Sequence, residues 1–233
     1  MTIAEMHIAL KLELDKTTAL ELPAFEPEEF DLWLNLAIKK FVKTRYSGVN
    51  IKGKSFEQTQ KRIDDLRTLV EHAIIDSDDL DPSTTYAPNS FVADLSSISG
   101  STYWFALEEA TTIDIDGTTS KVGVVESTID EVRRMLENPF SEHILHYGSA
   151  KPIRIFDGDS VELITDGNYD VTEYHLTFLK QPVEVETDDV SPVNCDLPEH
   201  THDEIVRMAA NMILENIEQP RYQTHAREIA TME

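Results

Sequence analysis

Apolar residues recur at helical spacing in the first third of the chain, whereas in the middle they alternate with polar ones. Ile3, Met6, Leu10 and Leu14 fall on one helical face behind Thr2 and Glu5, which form a capping box. The pattern breaks at "LPAFEPEEF", where Pro27 suits a first helical turn and Glu28 and Glu29 suit a helix N-terminus. Phe30, Trp33, Leu34, Ala37, Ile38 and Phe41 then form one stripe, with Gly48 as the stop. Trp33 and Phe41 read as core. Ser55 and Gln58 make another capping box, opening a helix with Phe56, Ile63, Leu66, Leu69 and Val70 inside.

The segment "IIDSDDLDPSTTYAPNS" is acidic and turn-rich and reads as a loop or boundary. Strand patterns follow in "SFVADLS" and "YWFALEEATTIDIDGTTSKVGVVES", where Ile113 and Ile115 are expected to face Val122 and Val124 across a "DGTTS" turn. In "TIDEVRRMLEN" Thr128 is expected to cap a short helix stopped by Pro139. "PIRIFDGDSVELITDGNYDVTEYHLTFLKQP" predicts three more strands separated by Asp-Gly turns, and a final helix is predicted over about Pro198–Ile217. Short connections favour antiparallel pairing. The predicted fold class is α+β. A helical base spans 1–75 with 196–219 returning to it; a β-rich insertion with one short helix covers 80–182, and a polar tail runs over 220–233.

Composition narrows the function. With 233 residues and a 40% apolar fraction the chain can build a core. No apolar run reaches the roughly 20 residues of a membrane span, and the acid-containing start is not a signal peptide. The single cysteine, Cys195, excludes an internal disulfide and a cysteine-based zinc site. The formal net charge is −24 and it is uneven: residues 1–75 hold 11 Lys/Arg against 12 Asp/Glu, the remainder 9 against 32. Two readings stand for the acids: a solubilising surface, or a surface that keeps clear of DNA or docks on a basic partner. The only basic stretch lies between Lys39 and Arg67, with nine basic residues and three acids. It reads either as a solvated helix face or as a docking surface for an acidic neighbour.

The densest chemistry is "DLPEHTHDE". His200 and His202 are two apart, about 200° around a helix, and so do not chelate one metal from the same helix. His143 and His146 are the only other close pair, and no set of three or four converging ligands emerges. Asp196 as cap and Glu199 in the first turn explain the acids. "DIDGTT" and "FDGDS" lack the glutamate that closes an EF-hand and sit where Asp-Gly turns are ordinary. No phosphate loop, nucleophile elbow or supported Cys/His pair is present. No catalytic residue, metal or cofactor is expected.

Three stretches together resemble a family: "LELPAFEPEEFDLWLNLAIKKFVKTRYSG" with "SFEQTQKRIDDLRTLV", "YHLTFLKQPVEVE", and "CDLPEHTHDEIVRMAANMILENIEQPRYQTH". They resemble the head-to-tail connector ring proteins of short-tailed, crAss-like bacteriophages. Tyr174, Leu179, Lys180 and Pro182 stand in one family pattern. Leu197, Pro198, Glu199, His200, Glu204, Asn216, Gln219, Pro220, Arg221 and Tyr222 stand in another. The resemblance implies a virion protein of the tail neck, assembled in the host cytoplasm as a ring of about twelve copies. Such a ring docks beneath the portal protein, touches other connector or tail proteins, and passes the genome DNA without binding it specifically. On this reading Arg45, Arg62 and Arg67 are candidates for inter-subunit ion pairs, and Arg221, Tyr222 and Arg227 for contact with an adjacent ring. For the tail, docking and fraying both stay open. Rival readings are an acidic DNA mimic that binds a basic protein, and a hydrolase or calcium module among the Asp-Gly turns.

Overall fold

A computed structural model of the chain describes residues 1–18, 25–47, 57, 59–98, 101–188 and 190–217. The chain divides into two compact units, Met1–Leu69 with Pro182–Glu233, and Val70–Gln181.

The first unit is helical. Helix α1 (Ile3–Thr18) opens on the expected capping box: the Thr2 amide donates to Glu5 Oε2 at 2.8 Å and the Glu5 amide to Thr2 Oγ1 at 3.3 Å. The Thr2 amide also holds the Glu5 carboxyl below its ordinary pKa. Ile3, Met6, Leu10 and Leu14 are buried, as their spacing predicts. Helix α2 (Pro27–Ser47) starts at Pro27 and buries Phe30, Leu34, Ala37, Ile38 and Phe41, while Trp33 is only half-buried. The Ser55–Gln58 box and the Gly48 stop lie outside the described residues.

Helix α3 is short, Gln60–Leu66, and a 3-10 turn at Arg67–Leu69 ends it. Its buried residues are Arg62, Asp65 and Leu66, followed by Leu69 in the turn, whereas Ile63 is half-buried. The expected stripe is thus rotated so that two charged residues face inward. Val70 is no longer helical but opens a strand.

The last helix enters through a 3-10 turn at Glu199–Thr201 and continues as α5 (His202–Asn216). The predicted Asp196 cap is not formed: neither Pro198 nor Thr201, the residues at the two starts, carries a side-chain cap, and the turn is closed by Thr201 Oγ1 donating to the Pro198 carbonyl at 2.8 Å. Helix α5 packs against both α1 and α2. Its buried residues include Ile205, Val206, Ala209, Ala210, Ile213 and Leu214, and the two alanines let neighbouring backbones come close.

The second unit is a two-sheet β structure. Its strands are β1 (Val70–Asp76), β2 (Leu80–Ser83), β3 (Ser90–Asp94), β4 (Tyr103–Ile115), β5 (Thr118–Gly123), β6 (Val125–Glu126), β7 (Ile153–Asp157), β8 (Ser160–Ile164) and β9 (Asp170–Lys180), with helix α4 (Val132–Leu136) between β6 and β7. One sheet has the order β1-β9-β4-β5 and the other β2-β3-β8-β7-β6. All pairs are antiparallel except the short β6–β7 pair, which is parallel. Alternate inward residues of β9, Tyr174, Leu176 and Phe178, meet Ala93, Val161 and Leu163 from the other sheet in one core.

Three local expectations change. The acidic segment taken for a loop holds the end of β1 and all of β2, and β1 pairs along its length with β9, from Val70 opposite Leu179 to Asp76 opposite Glu173. The hairpin between β4 and β5 turns on Asp116 and Gly117 alone, both with positive φ (50° and 83°), as a two-residue Asp-Gly turn requires. Ile113 therefore faces Ser120, and Val122 faces Thr111. The cap of α4 is also different, since it is the carbonyl of Thr128 that accepts, from the amides of Glu131 and Val132 at 3.0 Å.

Candidate assembly surfaces

Of the three arginines expected to reach a neighbouring subunit, two are built into the helical core. Arg45, 2% exposed, donates from Nε to Asp65 Oδ2 at 3.0 Å and from Nη2 to Glu204 Oε1. It also stacks over the Phe41 ring, 4.7 Å from its centroid. Asp65 in turn lies 3.0 Å from His200 Nε2. One arginine thus fastens α2, α3 and α5. Arg62 is buried as well and donates from Nη1 to the carbonyls of Arg45 at 3.1 Å and Thr44 at 3.3 Å, satisfying the C-terminal end of α2. The expectation that Arg45 and Arg62 pair with a neighbour's acids is corrected, because burial fixes both within their own chain. A stripe read as apolar gave no sign of this, although the Arg62–Asp65 spacing carried it. Arg67 differs, with a side chain 67% exposed and Asp64 no closer than 4.0 Å. Arg221, Tyr222 and Arg227 lie outside the described residues.

The histidines of the acidic stretch serve different partners. His200 meets Asp65, whereas His202 Nε2 lies 3.0 Å from the Leu197 carbonyl. Among the described residues no group of three or more His, Cys, Asp or Glu is placed to hold a metal ion. No helix among them is long and apolar enough to cross a membrane.

A strap that sequence reading missed runs along α2. Residues Asp31, Asn35 and Lys39, one turn apart, each hold one point of the extended segment after β9. Asp31 accepts from the Thr187 amide at 2.8 Å and from Thr187 Oγ1 at 3.0 Å. Asn35 donates to the Val185 carbonyl at 3.0 Å and accepts from the Val185 amide at 2.8 Å. Lys39 Nζ is 2.6 Å from Glu184 Oε1 and holds that carboxyl below its ordinary pKa. His7 Nε2 joins this strap, 2.7 Å from Asp31 Oδ1 and 3.2 Å from Thr187 Oγ1. The same ring nitrogen meets both the acid and the hydroxyl, so the trio is a clasp and not the relay of a hydrolase, which needs both nitrogens.

Away from the core, both long helices expose aliphatic pairs. Ile8 and Leu12 on α1 are 61% and 63% exposed, and Leu32 and Leu36 on α2 are 58% and 40% exposed. Each pair is one turn apart and opposite the buried stripe of its own helix.

The β unit carries the larger share of the net negative charge. Residues 70–181 include 21 Asp/Glu against 6 Lys/Arg. Its one buried arginine, Arg154 on β7, donates from Nε to Glu109 Oε2 on β4 at 2.6 Å and bridges the two sheets. Burial pushes the Glu109 carboxyl up, with Arg154 pulling the other way, and burial also pushes the Tyr174 hydroxyl up beside it. Exposed Phe140 (88%) and Tyr147 (108%) project from the turns between α4 and β7.

These are the features of a structural subunit, with its buried charges paired within the chain. The family described as phage tail ring protein 3/4 matches residues 1–224, and the chain belongs to this family of crAss-like phage ring proteins. Comparison with curated proteins finds no match. Membership makes the chain a structural component of a phage tail, assembled as a ring of copies with other tail proteins.

Proposed function

We propose that this ring is a head-to-tail connector. About twelve copies close beneath the portal and form part of the channel through which DNA leaves the head. The observation that carries this reading is the segregation of charge: residues 1–69 hold 11 acids against 11 bases, whereas residues 70–181 hold 21 acids against 6 bases. An acidic wall repels phosphates, so the genome passes without adhering. Exposed Arg67 pairs with an acid of the neighbouring subunit, and Arg221, Tyr222 and Arg227 contact the adjacent ring. The subunit has no catalytic role and needs no cofactor.

Cryo-electron microscopy of the virion neck tests the proposal. A closed ring of this chain under the portal, with the β unit lining the channel, is the expected result. A ring elsewhere in the tail overturns the connector assignment. Absence from the particle overturns it too and favours an acidic DNA mimic, which would use the same charge to bind a basic protein.

A further inference from the structure

The two exposed aliphatic pairs lie on different helices, and both helices rest on α5 with their apolar stripes turned inward. The subunit therefore carries an apolar strip on each of two helices, each too small to be stable alone in a contact that must exclude water. Their charges differ in order. Along α1 the exposed residues run Glu5, Ile8, Lys11, Leu12. Along α2 they run Glu28, Glu29, Leu32, Leu36, Lys40, Lys43. Laid antiparallel, Ile8 meets Leu36 and Leu12 meets Leu32. Glu5 then falls beside Lys40. A parallel arrangement instead sets Glu5 against Glu28 and Glu29. A face that pairs with a different face of the next copy is heterologous, and repeating a heterologous contact closes a ring when its rotation divides a full turn.

We propose that the outward face of α1 on one copy packs antiparallel against the outward face of α2 on the next, and that this is the repeating contact of the ring. The occupant of each face is a second copy of this chain. The contact deepens the ring reading and is independent of which tail proteins lie above and below. Arg45 and Arg62, buried behind the face of α2 and at its end, hold that helix in place without crossing the interface.

Cross-linking in assembled particles tests it. Leu12 and Leu32 are both exposed, so Leu12→Cys and Leu32→Cys leave the core intact, and circular dichroism of the free chain checks this. A bis-maleimide with a spacer of about 10 Å spans two facing helices. Native Cys195 is half-buried, and burial pushes its thiol up to about 11, so the unsubstituted chain serves as a low-background control. The double variant is expected to give a ladder of covalent multimers extending well beyond the dimer, and each single variant only monomer. Dimers from Leu32→Cys or Leu12→Cys alone mean that like faces meet, which overturns the proposal. Absence of a ladder in particles whose neck density still shows the ring overturns it while leaving the connector reading intact. Absence of the chain from the particles overturns both.

Discussion

Each unit of this protein buries an ion-paired arginine over a phenylalanine, Arg45 in one and Arg154 in the other, yet the two do different work. Arg45 sits between two carboxylates, those of Asp65 and Glu204, and joins three helices, while its guanidinium lies over Phe41. Arg154 has one buried acid, Glu109, with the exposed Glu126 at 3.4 Å, and lies over Phe156 at 4.3 Å as it joins two sheets. The helical unit takes charge inside to set how short helices dock, since α3 alone is too short to be stable. The β unit keeps nearly all of its charge outside, because its sheets are already registered by long backbone ladders. A buried pair is a means of specifying geometry, and it is used most where the backbone specifies least.

If that contrast is right, Arg45→Ala has the largest effect of any single change. It leaves Asp65 and Glu204 buried without their common partner and should remove about 3–5 kcal/mol from the helical unit. Denaturant unfolding followed by helical circular dichroism measures it, and a loss below about 1 kcal/mol would show the network to be dispensable.

Arg154→Met is expected to cost less, about 2–3 kcal/mol at pH 7, because Glu109 can take up a proton. The sign follows from its raised carboxyl. Stability linked to a raised group is fully present below its unfolded value and is lost as pH rises through its folded value. Without Arg154 the folded value rises further, so the deficit of the variant relative to the parent should shrink steadily between pH 7 and pH 5. A deficit that does not change over that window would mean that Glu109 is not the group left behind.

How much of this was legible in the sequence divides along the same line. The Thr2–Glu5 box, the stripe of α1 and the turns at Asp116 and Gly158 were readable because each is decided by residues a few positions apart. Strand β1 was not readable, since its first residue, Val70, continues a helical stripe and its end, from Ile74, opens an acidic loop until β9, a hundred residues on, supplies the partner. The roles of Arg45 and Arg62 were hidden for the same reason. Their basic surroundings suggested a surface, and only the fold brings Glu204 and the end of α2 to them. Family resemblance was carried by motifs at both ends of the chain, and the match over 1–224 covers the β region as well.

The strap gives a smaller effect that sharpens the contrast. Asn35→Ala removes both hydrogen bonds to Val185 and should cost about 2 kcal/mol in the helical unit. Proteolysis within 182–188 should accelerate in parallel, as read by mass spectrometry of the fragments. Unchanged cleavage would mean that Asp31 and Lys39 hold the strap without it.

The smallest expected change is a gain. Tyr147 has φ +53° and precedes Gly148 at φ +78°, in a turn closed by hydrogen bonds between His146 and Ser149 at 3.0 and 3.1 Å. A tyrosine in the left-handed region costs about 1 kcal/mol relative to asparagine or glycine, and a ring that is fully exposed recovers none of it by burial. Tyr147→Asn should therefore raise the melting temperature of the free chain by about 2–4 °C by calorimetry. Strain kept at an exposed aromatic is the reverse of the Arg45 case, where cost is accepted inside to fix the fold. Here it is accepted outside, in the acidic unit, and such positions gather where a surface meets a partner. A stabilised Tyr147→Asn chain that enters particles less well than the parent would mark the turn as a contact. Equal entry would leave the tyrosine with no role beyond its turn.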